Sequence, residues 1–370
     1  MSCPTLTEQV NFINTIVGQY YGYLCLDGKT YDRILSFFMN YLGSKTKLSA
    51  FLLSTISERV GYLADCLFCD LFAGTGRVGR VFKSHVRQVI ANDVELYSYS
   101  LNRHYIQNGQ DQYALFDADL FEELNALPGI EGLIYRYYCP GSGSDRNYFT
   151  DENGKKIDHI RQHIQAYLET GRITDDQYYF LLCSLLESAD KVSNTASVYA
   201  AFLKHTKETA RQPLILVPAV IEGHGTHQVY CEDANKLIHR IHGDVLYLDP
   251  PYNNRQYGNY YHILNTIAEY RPIEIKGVTG MRDYFRSDYC RKKQVASVFD
   301  SLIANAQFSH IFLSYNNEGL MSTDTVANIM SAYGDYHVVS YTGYQRFKAD
   351  KGRRYRASHV TEYLHCLKKK

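Results

Sequence analysis

The sequence predicts an α/β fold built on a mostly parallel sheet, with an antiparallel hairpin at its C-terminal end and a long helical insertion. Three observations support this. Short apolar runs alternate with helical patterns along most of the chain, the last two apolar runs have no helix between them, and residues 108–213 differ in character from their flanks. Successive strand–helix units place parallel strands beneath helices on both faces. We expect residues 1–107 and 214–370 to form one domain, with 108–213 as an inserted subdomain.

Each predicted element rests on the period of its apolar residues. The predicted strands are 67–72, 88–92, 228–231, 245–248, 310–314, 337–341 and 360–367. The predicted helices are 77–84, 95–107, 234–240, 261–270 and 323–332, with 157–170 and 175–190 inside the insertion. Connections in such folds usually take about 2–6 residues, so a stretch of about a hundred residues is better explained as a subdomain than as a loop.

Composition is that of an ordinary globular protein, with 45% hydrophobic and 21% charged residues among 370. The chain has no run of about 20 apolar residues and no secretory signal at its start, which argues against a membrane protein. Nine scattered cysteines are consistent with reduced thiols, so we expect a cytoplasmic location. Cys66 and Cys69 lie in an apolar run, which indicates strand positions rather than a metal site, and no metal is expected.

Positive charge is concentrated near the C-terminus, although the formal net charge is zero. Residues 346–370 hold nine Lys or Arg and two acids, an excess of 9 − 2 = 7. Five of these cations lie in residues 348–356 of the loop that joins the last two strands, namely Lys348, Lys351, Arg353, Arg354 and Arg356. Clustered cations neutralise nucleic-acid phosphates. A solvated basic tail is the alternative explanation.

A glycine-rich turn follows the first predicted strand. Its candidate cofactor-binding residues are Asp70, Phe72, Ala73, Gly74 and Gly76. Such a turn at the carboxyl end of a parallel strand lets a ligand approach the backbone closely, and the lack of Gly-Lys-Ser/Thr excludes a P-loop. Asp93 ends the next strand, where a carboxylate accepts the hydroxyls of an adenosine ribose. These residues indicate an adenosine-containing cofactor, with NAD and S-adenosylmethionine (SAM) both open.

The segment Asp249-Pro250-Pro251-Tyr252 directly after a strand discriminates between these cofactors. Two prolines fix φ twice and stiffen the loop. Such a loop aims the Asp249 carboxylate and the Pro250 carbonyl at one point, where they accept both hydrogens of an exocyclic amine, while Tyr252 offers a ring for stacking. Positioning is the main catalytic requirement when the electrophile is a sulfonium. We therefore predict catalytic roles for these four residues, with SAM as the cofactor.

Together these motifs resemble the Dam-like DNA adenine-N6 methyltransferases. The resemblance rests on Tyr41-Leu42-Gly43-Ser44-Lys45, Phe72-Ala73-Gly74-Thr75-Gly76, Tyr230-Cys231-Glu232-Asp233 and Asp249-Pro250-Pro251-Tyr252, in that order. It implies a Rossmann-like SAM-dependent methyltransferase sheet, with the insertion as a target-recognition subdomain. It also implies that Tyr41, Gly43 and Lys45 belong to the cofactor site, with Lys45 meeting the methionine carboxylate. Asp233, or alternatively Glu232, is expected near the SAM adenine.

The expected substrate is double-stranded DNA, with the target base flipped out of the stack. Arg255 and the C-terminal cations are the predicted DNA contacts, and residues 282–293 are a weaker candidate. Residues 145–156 and 193–204 are surface candidates for base recognition, and a cognate restriction endonuclease is a possible partner. The alternatives are the same chemistry on RNA or on cytosine N4, a catalytically idle DNA-binding module, and NAD-dependent oxidoreduction. Asp249 at the first loop position favours adenine over cytosine.

Overall fold

The computed structural model describes residues 45–109, 119–223, 225–345 and 359–370. Its strands are β1 (Leu67–Asp70), β2 (Gln88–Asn92), β3 (Gln228–Tyr230), β4 (His242–Leu248), β5 (Gln307–Asn316), β6 (Gly334–Gln345) and β7 (His359–Lys369). The helices that accompany the sheet are α1 (Ser49–Val60), α2 (Arg77–Lys83), α3 (Leu96–Asn102), α9 (Ala234–Leu237), α10 (Tyr257–Tyr260), α11 (His262–Glu269), α12 (Val295–Asn305) and α13 (Thr323–Ser331). Those of the insertion are α4 (Asp119–Ala126), α5 (Leu133–Tyr138), α6 (Asp151–Glu169), α7 (Asp175–Lys191) and α8 (Glu208–Arg211).

The seven strands form one sheet in the order β3-β2-β1-β4-β5-β7-β6. The pairs from β3 to β5 are parallel, whereas β7 is antiparallel to both β5 and β6. The predicted mixed sheet with an antiparallel C-terminal pair is therefore confirmed. Because the parallel strands all point the same way, the ends of β1, β2 and β4 meet at one edge, and ligands of open α/β sheets bind at this edge.

Both faces of the sheet are covered, because each strand alternates its side chains between two apolar clusters. The first face packs Phe68, Tyr247 and Phe312 against α1 and α2. The second face packs Cys69, Leu246 and other residues against α9, α12 and α13. The sheet is thus sandwiched between helices, as its parallel strands require.

The helices of the insertion share a hydrophobic core with α3 and α11. Tyr97 of α3 and Ile263 of α11 lie in the same buried cluster as Phe180 and Leu185 of α7. Both long helices begin after a capping threonine: the Thr150 hydroxyl accepts from Asn153 N, and Thr174 and Gln177 form a reciprocal capping box. Because of the Thr150 cap, α6 begins at Asp151 rather than at the predicted residue 157. The insertion is therefore packed directly onto the helical layer beside the cofactor end of the sheet.

Several elements differ from their predicted bounds. The predicted helix 261–270 corresponds to α11, and a short helix that was not predicted, α10, precedes it; Tyr261, with a ψ of 24°, interrupts the helical backbone between the two. Helix α12 was not predicted, and β5 and β6 extend beyond their apolar centres because polar residues at the strand ends still pair with β7. Among the described residues, none of the helices has both the length and the apolar character needed to cross a bilayer.

Candidate active site

A cavity opens at the carboxyl ends of β1, β2 and β4. It joins the glycine-rich turn, the end of β2, the start of α9, the loop after β4 and a segment before α12. Its lining includes Lys45, Asp70, Phe72, Ala73, Gly74, Asp93, Glu95, Glu232, Asp233, Tyr247, Asp249, Pro251, Gln256, Tyr257, Phe285, Ser287 and Tyr289. Most of the residues predicted to hold the cofactor therefore meet in one place.

The glycine-rich turn has the backbone that its glycines predict. Gly74 and Gly76 have φ of 53° and 73°, in the left-handed region that favours glycine. A Cβ on Gly76 would lie 2.6 Å from Asn102 Oδ1, and the Asn102 amide donates to the Gly74 carbonyl at 3.0 Å. Gly74 lines the cavity, whereas Gly76 is not among its lining residues and shapes the turn from behind.

Asp93 holds the turn in place from the end of β2. Its Oδ2 accepts from Gly74 N at 2.8 Å and its Oδ1 from Glu95 N at 3.0 Å. Burial raises the pKa of Asp93, although these hydrogen bonds oppose the shift. Each carboxylate oxygen can accept a second hydrogen bond, so the predicted ribose contact is compatible with this geometry. Glu95 is buried beside it, and burial together with the charge of Asp93 raises the pKa of Glu95 to about 7.

Asp70 at the end of β1 tests whether the cavity suits SAM. Its Oδ2 accepts from Gly79 N at 3.1 Å, whereas its buried Oδ1 has no hydrogen-bond partner among the described residues. Burial, with the negative charge of Asp249, raises the pKa of Asp70 to about 8. An unpaired buried acceptor in a cavity rich in carboxylates suits a ligand that brings donors and positive charge, as the ammonium and sulfonium groups of SAM do.

The loop 249–252, predicted to be catalytic and here called the catalytic loop, places Asp249 in the lining of the cavity. Lys45 Nζ lies 2.9 Å from Asp249 Oδ1, and Lys45 is 5% exposed. Burial raises the pKa of Asp249 to about 6, and the charge of Lys45 opposes that rise. Burial lowers the pKa of Lys45, but the attraction of Asp249 together with that of further negative groups raises it well above its usual value. Lys45 thus lines the cavity with its ammonium paired to Asp249, and its contact with the cofactor stays a prediction.

The other loop residues occupy distinct positions. Pro250 is buried and Pro251 lines the cavity. Tyr252 is half-buried outside the lining, packed against the second face of the sheet, and its carbonyl accepts from Leu320 N at 2.9 Å. The loop therefore separates a cofactor side, at Asp249 and Pro251, from a second side at Tyr252.

A segment comprising residues 285–289, here called the strap, contributes Phe285, Ser287 and Tyr289 to the lining of the cavity. The Gln256 side chain fastens it: Oε1 accepts from Ser287 N at 2.9 Å and Nε2 donates to Ser287 O at 3.1 Å. Within the strap, Tyr289 packs edge-on against Phe72 with ring centroids 5.1 Å apart. Gln256 thus ties the segment after the catalytic loop to the strap.

Asp233 and Glu232 both line the cavity, as the motif order predicts. Asp233 Oδ1 also accepts from Lys236 N at 3.1 Å and so caps α9. Glu232 forms an ion pair with Arg240 at the surface. Either acid is therefore adjacent to the cofactor cavity, and the choice of Asp233 stays a prediction.

The predicted DNA contacts are only partly within the described residues. Arg255 is exposed close to the cavity. Among the weaker candidates, Arg282 is not a surface cation, because its side chain is 10% exposed and paired with Glu269. In the recognition candidate 193–204, Ser193, Asn194 and Thr195 are buried, which contradicts a surface role for them. The predicted residues outside the described part of the chain are Tyr41, Gly43, Lys348, Lys351, Arg353, Arg354 and Arg356.

Comparison with known proteins identifies the family of the chain. A family model described as D12 class N6 adenine-specific DNA methyltransferase matches residues 41–329. The chain belongs to this family. It is 57% identical over 335 residues to the Type II methyltransferase M.NlaIII of Neisseria lactamica, a match that covers 90% of this chain and 99% of that protein.

Two further relatives of this D12-class chain agree. The Type II methyltransferase M.CviAII of Paramecium bursaria Chlorella virus 1 is 37% identical over 318 residues, covering 84% of this chain and 93% of that protein. M.FokI of Planomicrobium okeanokoites is 36% identical over 344 residues, covering 90% of this chain but 53% of that protein. The predicted function, adenine-N6 methylation of DNA with SAM as methyl donor, is confirmed over its RNA, cytosine-N4 and NAD-dependent alternatives.

Some residues of this D12-class site carried no recognisable motif. Glu95, which lines the cavity, was not among the predicted site residues. It lies two residues beyond Asp93, and a second carboxylate at that place after a strand could have indicated it. Phe285, Ser287 and Tyr289 reach the cavity through a loop without sequence pattern, and only the fold shows their position.

Proposed function

We propose that this chain is the modification methylase of a restriction–modification pair and methylates adenine N6 at a specific sequence in double-stranded DNA. The ion-paired, partly buried Asp249 directly after β4, in the lining of a cavity suited to SAM, is the observation that carries the assignment of the catalytic centre. The names of the Type II relatives support the pairing with a cognate endonuclease. Such an enzyme acts where the DNA of the cell lies, which favours a cytoplasmic location.

In the proposed mechanism, bound SAM supplies an electrophilic methyl group on a sulfonium. Asp249 and the Pro250 carbonyl accept the two N6 hydrogens of the flipped adenine, so that the nitrogen lone pair faces the methyl carbon. The N–C bond forms as the C–S bond breaks, and N6 then loses one proton to Asp249 or water. The main contribution of the chain is positioning, because the leaving group is already reactive.

The remaining residues have supporting roles in this proposal. Asp70, Asp93 and Asp233 bind the donor-bearing parts of SAM, with Phe72, Ala73 and Gly74 forming the adjacent wall. Tyr252, on the second side of the catalytic loop, stacks on the extruded base. The insertion, 108–213, carries target recognition. DNA phosphates are contacted by Arg255 and by the cations of the loop before β7, namely Lys348, Lys351, Arg353, Arg354 and Arg356.

Sequencing of DNA treated with the purified enzyme and SAM tests the function. We expect N6-methyladenine at one short recognition sequence, and no modification by Asp249→Ala at an equal concentration of folded protein. Methylation scattered over unrelated adenines would contradict site specificity. Methylation of duplex substrates but not of single-stranded ones would support double-stranded DNA as the substrate.

A further inference from the structure

Glu362 of β7 lies at the catalytic edge, on the face of the sheet that carries Lys45. Directly paired residues share a face, and the pairs Tyr247↔Phe312 and Phe312↔Cys366 connect β4, β5 and β7. Alternation along β7 then places Glu362 on this same face, because it lies four residues before Cys366. Its pairing partner is Asn316, the last residue of β5, so Glu362 stands beyond the carboxyl end of the strands.

Lys45 reaches the same corner from the layer above this face. It begins the 3₁₀ turn that leads into α1, and Leu48 and Leu52 pack into the cluster that contains Leu364 and Cys366. The negative charge of Glu362 acts on both members of the catalytic pair. The charge of Glu362 raises the pKa of Lys45, although less than the charge of Asp249 does. It also raises the pKa of Asp249, which burial already raises.

Glu362 is 7% exposed, so its carboxylate is largely removed from water. A buried carboxylate without a partner is costly, whereas one that shares a cation is compensated. Lys45 is the cation on which Glu362 acts, and it is hydrogen-bonded to Asp249. The corner therefore holds one lysine and two carboxylates that are able to accept from it.

This arrangement bears on how Asp249 becomes available to the substrate. On the proposed function, Asp249 must turn a carboxylate oxygen toward adenine N6, and the ion pair with Lys45 at 2.9 Å restrains the orientation of that carboxylate. We propose that Glu362 is a positioning residue that takes over Lys45 when the target adenine binds, so that Asp249 is released to orient N6. Lys45 has three donor hydrogens and a flexible stem, which makes a change of partner feasible without movement of the sheet.

The test is single-turnover methyl transfer by Glu362→Gln with excess enzyme, saturating SAM and duplex DNA. The variant keeps the size of the side chain but has no charge to hold Lys45. We expect the plateau rate to fall about tenfold, with affinity for SAM within twofold of wild type. Glu318→Gln is the matched control, since Glu318 is an exposed acid at the same edge, and it should keep the wild-type rate.

The pH–rate profile separates this role from a merely structural one. The groups that face Asp249 are Lys45 of the 3₁₀ turn, Asp70 of β1, Tyr247 of β4 and Glu362 of β7. Removal of the Glu362 charge lowers the pKa of Asp249, so the acid limb of the profile should move to lower pH in Glu362→Gln. A wild-type plateau together with an unmoved limb would overturn the proposal.

A double-variant cycle keeps the proposal testable if Glu362→Gln is destabilised. When Lys45→Met is already present, Glu362→Gln should cause no further loss of rate, because Glu362 acts through Lys45. If the losses of rate in the two single variants multiply in the double variant, the proposed transfer of Lys45 from Asp249 to Glu362 is contradicted. Glu362→Asp, which keeps the charge, should retain more of the wild-type rate than Glu362→Gln. None of these outcomes alters the product of the wild-type enzyme, so a failure of this inference is distinct from a failure of the proposed function.

Discussion

Lys45 Nζ donates to Asp249 Oδ1 over 2.9 Å in a buried corner at the carboxyl end of β4. Burial alone favours the neutral acid, and it raises the pKa of Asp249 to about 6 despite the lysine. The ion pair therefore keeps Asp249 ionised near neutral pH, which a hydrogen-bond acceptor for adenine N6 requires. This role for Lys45 is additional to the predicted contact with the SAM carboxylate.

Replacement of the lysine should shift the acidity of the catalytic carboxylate. In Lys45→Met the pKa of Asp249 rises, because burial is no longer opposed by a neighbouring cation. We expect the acid limb of kcat/KM to move to higher pH, and methyl transfer at pH 7 to fall at least tenfold. Lys47→Met, an exposed lysine two residues away, serves as the control. An unmoved limb in Lys45→Met would show that the pair does not set the ionisation of Asp249.

The wild-type enzyme should itself lose activity in acid. The pKa of Asp249 is raised from 3.8 to about 6, so below about pH 6 the protonated and inactive form predominates. We expect kcat/KM for DNA to fall about tenfold per pH unit below this point, since kcat/KM reports groups of the free enzyme. Initial rates between pH 5 and 8 at constant ionic strength measure this. A profile that stays flat down to about pH 4.5 would be inconsistent with a raised Asp249 pKa.

The sequence was sufficient for the parts of this molecule that short-range patterns encode. The apolar runs of β1, β2 and β4 and the glycine-rich turn determine where Asp70, Gly74 and Asp249 lie, because parallel strands bring their carboxyl ends together. Long-range packing was not readable in the same way. The partner of Lys45, the place of Glu362 beside it, and the course of the strap depend on contacts between distant segments, for which no local signal exists.

Buried polar groups explain the errors in the predicted recognition surfaces. Asn194 is polar in sequence, yet its amide donates to the Asn147 and Leu203 carbonyls at 2.9 Å each. The Arg282 guanidinium likewise forms an ion pair with the Glu269 carboxylate. The sequence alone does not distinguish a polar side chain that hydrogen-bonds to the backbone of a loop from one that is exposed and able to bind a ligand.

Tyr252 should matter most when flipping the target base is costly. Stacking of a base on an aromatic ring contributes about 1–3 kcal/mol, and a mismatched adenine needs less compensation because it leaves the duplex more easily. We expect Tyr252→Ala to reduce turnover about tenfold more on a paired than on a mismatched target. Tyr252→Phe, which keeps the ring, should behave like wild type. Equal losses on both substrates would argue against stacking.

Gln256 should stabilise the closed cofactor cavity through its two hydrogen bonds to Ser287. Each such bond contributes about 1 kcal/mol net, so the loss of both in Gln256→Ala should weaken SAM binding by up to about thirtyfold. Calorimetric titration of SAM into the protein without DNA measures the effect. Gln294→Ala, which changes an exposed glutamine at the start of α12, should leave the affinity unchanged. Wild-type affinity in Gln256→Ala would show that the strap is held by other contacts.

The C-terminal basic cluster is predicted to grip the DNA backbone, a role that follows from its charge alone. Each arginine that neutralises a phosphate adds about 0.9 to the magnitude of the slope of log affinity against log salt concentration. Arg353→Ala with Arg354→Ala should therefore weaken binding to specific and unrelated duplexes alike, and reduce the slope by about 2. The matched control is Arg87→Ala with Lys368→Ala, because both cations are exposed at the opposite edge of the sheet, at the start of β2 and the end of β7. Binding measured at four or more salt concentrations distinguishes the pairs: an equal slope for both double variants would remove the cluster from the interface, leaving Arg255 and the cavity mouth to hold the DNA.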